Sequence, residues 1–362
     1  MKIVLLLFFS AVIIICSSYK TSKVFLVANT GKPSELFETN DVLNIKLSGD
    51  LRNLFNDRDD NAKYHAITVS YVAADGKIIS IPAKAKTRGN FRRKLGDCVY
   101  PPIWLDFSEN KNLQTSLFNG QVRLKLVMPC RGDEYVIREY LLYRLYNLIT
   151  EKSFRTRLVK IEAEDDRRKK KTGSFYGILL EEDKQMAKRN HCVLVKRNML
   201  SKQSTEKDAF LKMAVFEYLI GNTDWSVEVQ QNIRLLAKDS IGIPTTVPYD
   251  FDHAGLVNAP YALPAEELQM SSVRERRYRG YCIKDMKQFE GVIAFYNNLK
   301  KDIYALYTNC SLIDSKYLKS SLQYLDEFYS TINNPKKLQE EFGYPCLPNG
   351  TGNIIIKGMK ED

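Results

Sequence analysis

Apolar and polar positions change period about a third of the way along the chain. Up to residue 128 the apolar residues come in short, β-branched or alternating stretches: 24–29, 42–47, 66–73, 77–82 after the Asp75-Gly76 turn, 103–107 and 122–128. Such runs predict strands of an antiparallel sheet. From about Glu134 the spacing becomes three to four: Ile137, Tyr140, Leu141, Leu145 and Leu148 share one helical face, with Glu134 placed to complement the helix dipole. That helix is predicted to end near Ser153. Stretches 157–162 and 173–180 then read as a hairpin with a polar tip, and everything after Asp183 as mainly helical.

In the second half, residues 207–219 carry Phe210, Leu211, Ala214, Phe216, Tyr218 and Leu219 around a helix that Gly221 stops. Residues 232–237 and 244–252 read as a hairpin holding Asn232 near Asp250. Two further helices are predicted at 283–307 and 311–332, followed by an irregular tail. The softest boundary is at 182–190. The expected organisation is therefore a leader at 1–18, a β-rich lobe with one helix at 19–185, a helical lobe at 186–345 sharing a cleft with it, and a tail at 346–362.

At 362 residues with 44% hydrophobic composition, the chain has enough apolar material for a core, which excludes intrinsic disorder. The net charge of +11 favours anionic partners. The run Arg167-Arg168-Lys169-Lys170-Lys171 reads as a solvated loop, and it has no interleaved aromatics for stacking on nucleic-acid bases. Lys2 and the apolar residues 3–15, ending near Cys16-Ser17-Ser18, read as a secretory signal too short for a membrane span. Cys16 is alternatively a lipid attachment point, which would anchor the protein to a membrane. Six cysteines remain beyond the leader, an even number suited to disulfides, and Cys98–Cys130 is the preferred pair. The absence of any CxxC pair removes support for a zinc or iron–sulfur site. With three histidines and no Ser-His-Asp or Cys-His arrangement, hydrolase chemistry loses support too.

The chemistry-bearing stretch is Asn222-Thr223-Asp224-Trp225, then Asn232, then Asp250-Phe251-Asp252-His253. Kinase-type phosphoryl transfer needs one carboxylate at the acceptor hydroxyl, and a carboxylate with a nearby asparagine to hold magnesium on the phosphates. Asp224, Asn232 and Asp250 supply these types in order. Asp250 and Asp252 end a β-rich run between aromatic residues, where two carboxylates need a metal or a basic partner. His253 is expected to hydrogen-bond beside that pair.

In Thr87-Arg88-Gly89-Asn90, in 218–224 with Asn232, in Pro248-Tyr249-Asp250-Phe251-Asp252, and in Gly-Ile-Leu-Leu-Glu-Glu-Asp at 177–183, the chain resembles the CotH kinase-like family. The likeness covers roughly residues 80–260. It implies an α+β, two-lobed atypical protein-kinase-like fold, and an exported kinase using ATP with Mg2+ or Mn2+ on a protein or peptide acceptor. Asp224 would be the catalytic base, Asn232 and Asp250 the metal ligands, and Asp252 a second ligand or an acceptor behind them. Seven residues separate Asp224 from Asn232 where ordinary kinase loops have four, so Asn222 competes for the amide role. For the nucleotide phosphates, a strand lysine paired with a helix glutamate is expected, here Lys125 with Glu139, and Arg88 beside Gly89 is the rival ligand. No Gly-x-Gly-x-x-Gly or Walker A loop occurs, leaving 84–94 as the phosphate-covering segment. A binding protein on a retained kinase-like scaffold is the competing reading.

Overall fold

The computed structural model describes residues 35–110, 113–167, 170–348 and 354–357. The expected leader, Cys16, the strand at 24–29, the centre of the basic run and most of the tail lie outside these. The fold is mixed α+β. Seven strands form one closed barrel: β1 (Leu43–Gly49), β2 (His65–Val72), β3 (Ile78–Thr87), β4 (Ile103–Asp106), β5 (Arg123–Val127), β6 (Thr156–Asp165) and β7 (Lys170–Leu180). Around the barrel they run β1-β2-β3-β4-β5-β7-β6. The sequence pattern suggests an antiparallel sheet, and six of the pairings are antiparallel. The seventh, which closes the barrel, is parallel, with Leu43 opposite Val159 and Gly49 opposite Asp165. A parallel pair requires a long crossover, and here four strands and three helices intervene between the partners.

β3 runs five residues past the expected end at Pro82. A proline cannot donate to a ladder. Pro82 is tolerated because β3 pairs with β2 on one side there, opposite Thr68, while β4 begins to pair only at Lys84. Alternation along β6 and β7 splits their side chains between two cores. Val159, Ile161, Ala163, Phe175 and Leu179 fill the barrel, whereas Leu158, Ile178 and Leu180 join the helical core outside it. Burial on both faces matches the consecutive apolar residues Leu158-Val159 and Ile178-Leu179-Leu180, whereas the rest of β6 alternates with Lys160, Glu162 and Glu164.

The first long helix, α3 (Asp133–Ile149), follows two short ones, α1 (Leu51–Asn56) and α2 (Phe91–Lys94). Asp133 and Glu134 occupy its first turn as the dipole favours, and its inner face enters the core shared with α5 (Lys207–Ile220), α6 (Glu290–Thr308) and α7 (Ser315–Ile332). It stops at Ile149, short of Ser153. The expectation that everything after Asp183 is mainly helical needs correction. α4 (Asp183–Arg189) leads into a small sheet of β8 (Val193–Leu194), β9 (Ile233–Ala237) and β10 (Thr245–Pro248), and residues 249–285 are irregular apart from one 3-10 turn. A further helix, α8 (Pro335–Phe342), stands before the tail, capped by the Asn334 side chain. No helix among the described residues is long and apolar enough to cross a membrane. Cys98 bonds Cys130 as expected, Cys282 bonds Cys346, and Cys192 and Cys310 are free thiols.

Candidate active site

α5 sets the position of the Asp224 loop. Gly221 ends the helix in the left-handed region at φ 70°, with its N–H on the carbonyls of Glu217 and Tyr218. A side chain at Gly221 would run into the Tyr324 hydroxyl, so glycine is required for space as well as conformation. Asn222 Oδ1 then accepts the N–H of Asp224 at 3.1 Å, turning the chain. The loop returns to Asn232, which adopts φ 50°, a conformation asparagine tolerates. Its Nδ2 donates to the Asp224 backbone carbonyl at 2.8 Å and to Asp224 Oδ2 at 2.9 Å. Of the two competing amides, Asn222 therefore holds loop backbone and Asn232 holds the carboxylate.

The expected hairpin forms, with Pro248 opposite Ile233. It ends with the Tyr249 N–H on the Asn232 carbonyl at 3.0 Å, which brings Asp250 alongside. Asp250 sits at φ 64°, its N–H donating to the Tyr143 hydroxyl on α3 at 2.9 Å. Phe251 is fully buried between the rings of Tyr143 and Phe216, with centroids at 4.8 and 5.4 Å. This wedge fixes the two flanking acids differently. The Asp250 side chain is 37% exposed and that of Asp252 only 9%.

The basic partner anticipated for the acidic pair is Arg92, on α2. Its buried guanidinium lies 3.3 Å from Asp252, 3.6 Å from Asp250 and 3.7 Å from Glu139. Burial works against its charge, but the surrounding acids outweigh that and hold Arg92 well above its ordinary range. The same burial resists ionisation of Asp252, yet Arg92 keeps its carboxyl below the usual range. Glu139 is pushed the other way, up to about 8, by burial with the Asp252 and Asp250 charges adding to it. Asp224 is also raised, first by burial and then by the neighbouring aspartates. The hydrogen bond expected of His253 is absent at Nδ1, which is buried without a partner among the described residues, its ring edge against Phe91 and Tyr261.

The expected Lys125–Glu139 pair does not form. Lys125 Nζ bonds Asp183 Oδ1 at 2.8 Å, and Glu139 faces Arg92 instead. Strand register is the reason: Lys125 pairs opposite Leu180 on β7, and the chain turns directly after it into α4, whose first residue is Asp183. Nor is Lys125 solvent-facing. It is 2% exposed, among the rings of Trp104, Phe154 and Tyr249. Burial lowers its ammonium to about 8 although Asp183 opposes this. Asp183 is shared with Arg234 Nε at 2.5 Å. Arg88, half-buried, lies with its guanidinium over Trp104 at 5.1 Å and forms no ion pair among the described residues. Of the covering segment, 84–87 belongs to β3, and only 88–94 bends over this region.

Arg92, Asp183 and Arg234 are absent from the residues singled out in the sequence. Asp183 closes the 177–183 stretch, and Arg234 is a lone charge within an apolar strand, so both left a signal. Arg92 lies in a basic run and was not separable from its neighbours.

For an oxygen-coordinated cation the donor set is adequate. Asn232 spends its Nδ2 on Asp224, leaving Oδ1 without a hydrogen bond among the described residues, and Asp250 is the accessible carboxylate. Asp252 is committed to Arg92. The one place where three histidine, cysteine or carboxylate atoms converge among the described residues is Asp97, Cys98 and Cys130, and those two sulfurs share a disulfide. A cation at Asp250 and Asn232 would thus take its remaining ligands from phosphate and water, as magnesium commonly does. The chain matches no protein-family model, and no curated protein matches it either.

Proposed function

We propose that this chain is an exported, CotH-like atypical kinase that transfers a phosphoryl group from ATP to a hydroxyl of a protein or peptide acceptor. The barrel and the helical region act as its two lobes. The observation that carries the reading is Asn232, which fastens the Asp224 carboxylate and, through the carbonyl bonded to Tyr249, sets Asp250 beside it. In this role Asp224 orients the acceptor hydroxyl and takes its proton, a task suited to a carboxyl whose proton affinity burial has raised. Asp250 and Asn232 Oδ1 would hold Mg2+ or Mn2+, which supplies charge neutralisation on the phosphates. Lys125, Arg88 and Arg234 would hold the phosphates themselves, and Glu139 would act through Arg92 rather than through Lys125. Export is supported by the apolar leader and the two disulfides, with either secretion or attachment by a lipid on Cys16.

One observation favours a second reading, a non-catalytic envelope binding protein on a kinase-like scaffold. The Arg92 guanidinium already neutralises Asp252 and approaches Asp250, so the acidic cluster is held together by an internal cation. A thermal-shift titration with ATP and Mg2+ or Mn2+ separates the two. Stabilisation of the natural chain and of Asp224→Ala, but not of Asp250→Ala, supports the kinase. No shift under any condition leaves the scaffold.

A further inference from the structure

We infer that Arg279 is a positioning residue for Asp224, acting through the backbone on either side of it; the inference rests on Asp224 being the base. Arg279 lies 55 residues downstream, in the irregular segment before α6, and is 1% exposed. Its Nη1 donates to the Thr223 carbonyl at 2.5 Å and to the Trp225 carbonyl at 2.6 Å, the two carbonyls that flank Asp224. Nη2 donates to the Ile354 carbonyl at 2.7 Å, and the guanidinium lies over the Trp225 ring at 5.3 Å. The Arg279 carbonyl is in turn held by Lys202 Nζ at 3.0 Å.

Among the described residues no carboxylate pairs with this arginine; its charge is spent on carbonyl oxygens. Burial of a guanidinium in such a place is costly without compensation. Helix termination does not require it, because Gly221 already ends α5 and Asn222 already turns the chain. What Arg279 adds is a planar group whose Nη1 holds the carbonyls before and after Asp224 together while Nη2 is anchored on Ile354, and so limits rotation of the backbone on both sides of Asp224. Asn232 then fixes the carboxylate from the other side. A catalytic group displaced by about 1 Å loses around 10²-fold in rate, so a restraint at this place bears on turnover.

The test compares Arg279→Lys and Arg279→Gln in the full chain by amide hydrogen exchange and by transfer kinetics. Lysine keeps the charge but loses the planar group whose second nitrogen is anchored on the Ile354 carbonyl and whose face lies over Trp225, so its ammonium is not fixed in place between the two carbonyls. Exchange at residues 223–226 is expected to rise at least about tenfold in both variants, with the α5 core unchanged. The kcat for transfer is expected to fall about 10- to 100-fold, with the KM for ATP within about twofold, because Arg279 touches none of the residues assigned to the nucleotide. Unchanged exchange at 223–226, or full kcat in Arg279→Lys, overturns the inference. So does a loss of ATP affinity that matches the loss of kcat, which would mark a general structural role. If the natural chain transfers phosphate to no acceptor, it is the assignment of Asp224 as base that fails, and the exchange data still decide whether Arg279 restrains the loop.

Discussion

Lys125 and Asp183 meet at 2.8 Å where β5 faces the start of α4, and Arg234 reaches the other oxygen of the same carboxylate. Asp183 is buried enough to resist ionisation, but its two cations overcome this and hold it at about 2 against an ordinary 3.8. The unfolded chain therefore binds more protons than the folded one between those values. Stability from this group is complete above about pH 4 and is lost as pH falls through about 2. Replacing Asp183 by Asn leaves the buried Lys125 and the half-buried Arg234 without their carboxylate and should cost about 3–5 kcal/mol at pH 7 in urea unfolding. Below pH 4 the natural chain should lose stability more steeply than the variant; equal slopes would show that the pair contributes nothing.

Arg92 offers a sharper probe of the acidic cluster. Arg92→Met leaves Asp252 and Glu139 buried without a cation and should lower stability by about 3–5 kcal/mol. Arg92→Lys should recover little of it, since one ammonium cannot face three carboxylates as a planar fork does. Mn2+ alone should then raise the melting temperature of Arg92→Met more than that of the natural chain. An equal response in both proteins would mean that cation and arginine do not compete for the cluster.

Phe251 links packing to chemistry. Phe251→Ala empties a fully buried site between Tyr143 and Phe216 and should cost about 3–5 kcal/mol, whereas Phe251→Leu should cost distinctly less. Because Asp250 and Asp252 flank the lost ring, the alanine variant should also lose its ATP–metal thermal shift at a temperature where it remains folded. A retained shift would show that the two acids are held by other contacts.

The two disulfides close loops of 32 and 64 residues, for which chain entropy predicts about 4 kcal/mol each. Mass mapping after alkylation without reduction should find labels on Cys192 and Cys310 alone among the six cysteines beyond residue 18. Labelling of Cys282 or Cys346 would refute the second bridge. Reduction should lower the urea midpoint markedly.

Much of the site was legible because its parts are local. Helix α5 running into Gly221, the hairpin that brings Asn232 toward Asp250, and a carboxylate pair needing a basic partner all follow from neighbours in the chain. Buried charges with distant partners were not legible. Lys125 alternates with leucines as a solvent-facing strand residue would, and only the cover of Trp104, Phe154 and Tyr249 makes it a buried one. Glu139 follows its helix either way; its partner depends on which segment crosses above it.

By itself the sequence determined the periods: strands before residue 128, helices where apolar spacing widened, and the turn chemistry around Asp224 and Asp250. These are consequences of backbone geometry and of side chains within a few residues of one another. The tertiary structure decided that the first strands close into a barrel through a parallel pair, and that Lys125 takes Asp183 while Arg92 takes Glu139, Asp250 and Asp252. It also decided that a distant Arg279 grips the backbone around Asp224. Strand register and the burial of charge are properties of the assembled chain, because a buried ion takes whichever partner the packing brings within reach.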